Sequence, residues 1–265
     1  MLKLIQNVTI CNMIPGIYTK GNKQKPAVIM AHGIMGSKNE YLNTLACIAE
    51  CLELLDIASL RIDFAGHGDS QKSLDDFSLY SQIDDLNASI KWMLDSGYPS
   101  IILLGVSFGA PPVVIASELN KSVIKSLLIA PVIDYKATFI NTSTSWGNDT
   151  FGLQKLLKGI QNNGLFLDKS YYLCKTVLQD ILLADIPGFI RTSTKTITIF
   201  HGDSDDMVPY SASLQVSQDN ENVELITMIK TEHGITEVGD EDFSKPATKY
   251  NLQQIVLNLQ TIISR

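Results

Sequence analysis

From residue 27 onward, short apolar runs alternate with stretches of helical periodicity, and few architectures can bury such a pattern. Ala27-Val28-Ile29-Met30-Ala31 follows Pro26 and is apolar throughout, as expected of a strand covered on both faces. Residues 41–55 place Leu42, Leu45, Ile48, Ala49 and Leu52 at helical spacing, and 57–64 return to a β-rich run. A helix from about Ser78 to Asp95, stopped by Gly97 and Pro99, is followed by Ile101–Leu104 and a further helix. Apolar runs at 124–132, 194–200 and 222–230 and a helix near 247–263 continue the series, and two candidate edge strands lie near Val8 and Ile17. This alternation predicts an α/β protein with a mostly parallel central sheet and helices on both faces.

The rhythm fails between Asp134 and Arg191, a stretch rich in Asn, Thr, Ser and Gly near 141–152. It predicts a cap inserted at 134–191 over a core formed by 1–133 and 192–265. Its aromatics, Trp146, Phe151, Phe166, Tyr171 and Tyr172, are candidates to line a pocket, although aromatics in such a segment more often hold it together.

With 265 residues, 45% hydrophobic, the chain can bury one large core. A net charge of −7 without clustered Lys and Arg argues against nucleic-acid binding and favours a neutral or cationic small molecule. Cys11, Cys47, Cys51 and Cys174 form no CxxC pair, and no His stands at ligand spacing from Cys47 and Cys51. They read as reduced thiols, the latter two packed in the core, and no metal or cofactor is expected. MLKLIQNVTICNMIPG lacks a sustained apolar stretch and a cleavage site, and no window reaches ~18 apolar residues, so the expectation is a cytoplasmic protein without a secretory signal or membrane span. Oligomeric state is not legible.

Gly105-Val106-Ser107-Phe108-Gly109 fits G-x-S-x-G at a strand-to-helix junction, where a tight turn forces the serine into strained backbone angles. Pro111 and Pro112 mark the first turn of the following helix, since the N–H groups there have no intrahelical acceptor. Ser107 is therefore the candidate nucleophile, and the Phe108 N–H a candidate donor to a developing oxyanion.

In sheets of this type the catalytic order is serine, acid, histidine. Only His201 and His233 follow Ser107, and His201 opens the run HGDSDDMVP, so an acid within that run leaves His233 as the general base. The H-G-x-x-D-x-x-V-P spacing selects Asp205, with Asp206 the next choice and Asp203 a turn cap. His32-Gly33-Ile34-Met35-Gly36-Ser37 follows the first buried strand, where the second oxyanion donor belongs; the Ile34 N–H is the candidate and His32 a structural residue.

Taken in order, HGIMGS, RIDFAGHGDS, GVSFGA, HGDSDDMVP and EHG resemble the bacterial α/β-hydrolases related to feruloyl and cinnamoyl esterases and monoacylglycerol lipases. The resemblance implies the α/β-hydrolase fold, a carboxylic ester substrate, no cofactor, a triad of Ser107, Asp205 and His233, and oxyanion donors at Ile34 and Phe108. Val106 and Phe108 stand where those esterases more often carry His and Gln, and the cap has no clear match, so the chemistry transfers better than the substrate. An acyl thioesterase or acyltransferase using the same triad is the alternative, and a binding module on the same fold a third reading. Dehalogenase chemistry is disfavoured because it needs Asp in place of Ser107.

Overall fold

The computed structural model describes residues 5–240 and 242–263. The first four residues of the stretch read above as lacking a secretory signal lie outside them. Eight strands form the central sheet: β1 (Ile5–Ile10), β2 (Ile14–Thr19), β3 (Ala27–Ala31), β4 (Ser59–Ile62), β5 (Ile101–Val106), β6 (Val123–Ile129), β9 (Ile197–Gly202) and β10 (Val223–Met228). A separate pair, β7 (Gly164–Phe166) and β8 (Tyr172–Cys174), interrupts the numbering between β6 and β9. The sheet order is β1-β2-β4-β3-β5-β6-β9-β10, antiparallel at β1/β2 and β2/β4 and parallel from β4 to β10.

The helices are α1 (Thr44–Leu54), α2 (Leu79–Asp95), α3 (Ala110–Leu119), α4 (Tyr135–Phe139), α5 (Ser145–Thr150), α6 (Leu153–Gln161), α7 (Lys175–Leu183), α8 (Ile186–Arg191), α9 (Tyr210–Asp219) and α10 (Pro246–Ile263). Because side chains alternate along a strand, β5 sends Ile101 and Leu103 to one face and Ile102 and Leu104 to the other. The first pair packs with Leu86, Ile90 and Met93 of α2 and Val113 and Val114 of α3. The second packs with Leu45, Ile48 and Leu52 of α1 and Ile255 and Leu259 of α10. Both faces of the sheet are thus covered, which is why its central strands read as unbroken apolar runs.

Three details depart from the sequence reading. The helix expected from 41 begins at Thr44, because Tyr41–Asn43 form a short 3-10 turn instead, in which Leu42 and Asn43, like Glu40 before them, take positive φ. Cys47 and Cys51 lie half-buried on the flank of α1, whose buried stripe is Leu45, Ile48, Ala49 and Leu52. Helix α9 and the pair β7/β8 were not anticipated: α9 buries only Ser213 and Val216, leaving no apolar stripe to read, and three-residue strands are too short to show a period.

No described helix is long and apolar enough to cross a membrane. Between β6 and β9 the chain leaves the sheet to form α4 through α8 and the β7/β8 hairpin, whose apolar side chains Leu173, Val177, Leu178 and Ile181 join the core on the α2/α3 face.

Candidate active site

Ser107 stands between β5 and α3 at φ 51, in the left-handed region that a non-glycine residue occupies only under constraint. The flanking glycines permit this turn by close approach. A Cβ on Gly105 would lie 2.7 Å from the Gly109 carbonyl oxygen, and one on Gly109 would lie 2.4 Å from the His32 carbonyl oxygen. The Val132 N–H donates to the Ser107 carbonyl at 3.0 Å, tying the turn to the end of β6. Pro111 and Pro112 sit in the first turn of α3, as their missing N–H groups require.

His233 reaches Ser107 from the loop after β10, its Nε2 2.9 Å from Ser107 Oγ. Its Nδ1 lies 2.8 Å from Asp205 Oδ2, and the carboxylate can only accept, so Nδ1 carries the proton and Nε2 is left as the acceptor for the serine hydroxyl. Such a chain can take the proton from Ser107 and hold the imidazolium that forms.

Asp205 is fully enclosed and held by every oxygen it has. Oδ1 accepts from the Met207 N–H at 2.9 Å and the Val208 N–H at 2.8 Å, while Oδ2 faces both His233 and, at 3.1 Å, His201 Nε2. Burial alone would raise this carboxyl, but His233 and His201 together outweigh it and hold Asp205 well below the usual carboxylate range. Burial likewise disfavours the charged imidazole of His233, and the Asp205 charge and hydrogen bond reverse the balance, raising His233 above its ordinary value. The neighbours expected as alternatives are engaged elsewhere or exposed: Asp203 accepts from the Lys230 N–H at 2.7 Å, and Asp206 is exposed.

The role of His201 was not legible. It lies inside β9, fully buried, with Nδ1 2.7 Å from Ser213 Oγ, and it is a second imidazole on the same carboxylate oxygen as His233. The signal was available only as its i, i+4 spacing to Asp205, which in a strand-and-turn segment carries no geometric meaning before the fold is known.

The loop after β3 comes up against the serine from the other side, where a Cβ on Gly33 would stand 3.0 Å from Ser107 Cβ. The N–H groups of Ile34 and Phe108 have no hydrogen-bond acceptor among the described residues, which leaves both able to receive one. Glu40, also missed by sequence reasoning, pins this loop: its Oε2 accepts from the Gly33 N–H at 2.6 Å and Oε1 from the Tyr41 N–H at 3.0 Å.

His32 is structural, as its position in the turn suggested. Its Nδ1 donates to the Gly33 carbonyl at 2.7 Å and its Nε2 accepts from the Phe64 N–H at 3.1 Å. Burial first, and the neighbouring His67 second, push it down to about 3, so it stays neutral.

The RIDFAGHGDS segment is explained by the same loop. Asp63, with no exposed side-chain surface, accepts from the Lys38 N–H at 2.6 Å and pairs with Lys38 Nζ at 2.5 Å, and Lys38 Nζ also meets Asp69 at 2.7 Å. Segment 63–70 therefore braces segment 33–40.

Ser107 and His233 open into a cavity of about 770 Å³ with an apolar wall that includes Ile34, Val132, Phe139, Trp146 and Met207. Of the aromatics expected from 134–191, Trp146 lines this cavity, Phe151 packs behind it against Phe139, and Phe166 is exposed against Tyr172. Among the described residues no group of His, Cys, Asp and Glu is arranged to hold a metal ion.

A mostly parallel eight-stranded sheet with a strained serine at the β5–α3 turn and a histidine after the last strand defines an α/β-hydrolase-fold protein. The family described as alpha/beta hydrolase fold matches residues 26–155. Est1E from Butyrivibrio proteoclasticus, solved with ferulic acid bound, superposes at TM-score 0.74 with 18% identity over 97% of each chain. The Pyrococcus furiosus esterase Pf2001 follows at TM-score 0.71 and 17% identity, over 98% of this chain and 91% of its own. The α/β hydrolase GrgF from Penicillium sp. sh18 matches over all of both chains at TM-score 0.70 and 18% identity. No curated protein matches the sequence. The resemblance read from the motifs thus holds for the fold across the chain.

Proposed function

We propose that this protein is a serine hydrolase that cleaves carboxylic esters with small, medium or aromatic acyl groups through an acyl-enzyme. Ser107 Oγ attacks the ester carbonyl carbon while its proton passes to His233 Nε2, and Asp205 stabilises the imidazolium. The carbonyl oxygen takes up the negative charge facing the Ile34 and Phe108 N–H groups. Collapse breaks the carbon–oxygen bond, and the alcohol leaves with the proton from His233. Water, deprotonated by the same imidazole, then repeats the sequence and frees the acid and Ser107.

The observation that carries this reading is the unbroken hydrogen-bonded chain from Ser107 through His233 to Asp205, opening on a cavity. The test is a p-nitrophenyl ester assay: a burst of nitrophenol equal to the enzyme concentration, with turnover reduced about 10⁶-fold in Ser107→Ala. Equal hydrolysis by both proteins would defeat it. Est1E's bound ferulic acid makes aromatic-acyl esters the first series to screen.

The charge of the cavity bears on the thioesterase or acyltransferase alternative. Glu40, Asp206, Glu232 and Asp240 line it, with no Lys or Arg among the described lining residues. Carriers bearing phosphates would meet repulsion there, while neutral or cationic esters would not. Matched oxygen esters and thioesters, with and without added alcohol acceptors, separate these reactions, and a fluorophosphonate probe that fails to label Ser107 would favour a binding module. In this reading residues 134–191 form a cap over the core of 1–133 and 192–265. A cytoplasmic setting agrees with its four free cysteines.

A further inference from the structure

The oxyanion loop is held from an unexpected direction. Met35, which directly follows Ile34, sits at φ 60, and its side chain is half-exposed, so its own packing does not hold it in that conformation. Its N–H points at His67 Nε2, 3.3 Å away. His67 is buried, and its Nδ1 donates to the Ala65 carbonyl at 2.7 Å, which fixes the tautomer and makes Nε2 an acceptor. The second donor to that nitrogen is the phenol of Tyr171 at 2.8 Å, a residue 104 positions away in the turn between β7 and β8. The phenol thus steadies the imidazole that receives the Met35 N–H.

Tyr171 is delivered rigidly. Asp168 Oδ1 accepts from the Ser170 N–H at 2.6 Å and the Tyr171 N–H at 2.7 Å, closing the turn. The hairpin is then fastened to the chain that carries His67, through Tyr172 Oη to Asp75 at 2.9 Å and Cys174 Sγ to the Phe77 carbonyl at 3.3 Å.

We propose that Tyr171 and His67 are positioning residues for the oxyanion loop, so that the segment between β6 and β9 sets the alignment of the Ile34 N–H toward the reacting carbonyl; this rests on the ester-hydrolase reading. The segment is thereby coupled to chemistry as well as to access. A donor displaced by a fraction of an ångström is weakened where charge develops in the transition state, while the bound ester loses little.

The test compares wild type with Tyr171→Phe, His67→Gln and His67→Leu on a p-nitrophenyl ester and on a trifluoromethyl ketone, whose adduct with Ser107 places an oxyanion in the same site. Tyr171→Phe keeps the ring and its packing, and is expected to lower kcat about tenfold with KM within about twofold, weakening the ketone by the same factor. His67→Gln keeps an acceptor for Met35 and should retain more activity than His67→Leu. Melting temperatures identify a variant that does not fold, and Tyr171→Phe then decides alone. Unchanged kcat and ketone affinity in Tyr171→Phe, or a change confined to KM, overturns the proposal while leaving the ester-hydrolase reading intact. A wild type that the ketone does not inhibit and that Ser107→Ala does not impair overturns that reading and this inference with it.

Discussion

Asp205 carries two imidazoles on one carboxylate oxygen, and this sets the pH behaviour of the site. In the proposed mechanism His233 acts as a base only when neutral, and its pKa is raised above the ordinary 6.5, so the acid limb of kcat/KM against pH should have its midpoint above 6.5. Asp205→Asn removes the raising charge and should move that midpoint down while reducing kcat about ten-thousand-fold; a limb that stays in place would separate His233 from Asp205. The same groups enter stability with opposite signs. Asp205, depressed, contributes above the ordinary carboxyl value of 3.8, and that contribution is lost as pH falls below it. His233, raised, contributes below 6.5 and loses its contribution as pH rises through its folded value. Asp63 is the other residue on which much depends. Asp63→Ala strands Lys38 with only the exposed Asp69, and denaturant unfolding should show a loss of about 3–5 kcal/mol.

At the scale of the element, the β5–α3 turn is the least tolerant piece of the chain. Gly105→Ala brings a methyl to 2.7 Å from the Gly109 carbonyl and 2.9 Å from Ala110 Cα, both backbone atoms that cannot swing aside. The turn must open, so this variant should label with a fluorophosphonate more than tenfold more slowly than wild type. The sequence located this element well because its constraints are local: an apolar run, two glycines, a serine and two prolines must fall at fixed offsets. It located α9 and the β7/β8 pair poorly because nothing local marks them. Helix α9 is held by Val216 and by Ser213 against His201, and the hairpin by Tyr172 and Cys174 against a segment nearly a hundred residues distant.

Across the whole molecule, stability rests on the two apolar layers on either side of the sheet. Leu103, wholly buried between β5's neighbours and the α2/α3 layer, should cost about 3 kcal/mol when cut to Ala, read as a lower urea midpoint at unchanged slope. The order of catalytic residues expected in such sheets nominated Asp205 and His233, while periodicity and turn chemistry, read along the chain, determined the alternation of strands and helices and the serine turn. Those are properties of neighbours in sequence, set by side-chain direction and backbone sterics within a few residues. What only the tertiary structure decided is which distant groups meet: His201 beside Asp205, Glu40 on Gly33, Lys38 on Asp63, and Tyr171 on His67. Hydrogen bonds reach about 3 Å whatever the separation in sequence, so their partners are fixed by strand order and loop docking, quantities that no local pattern encodes.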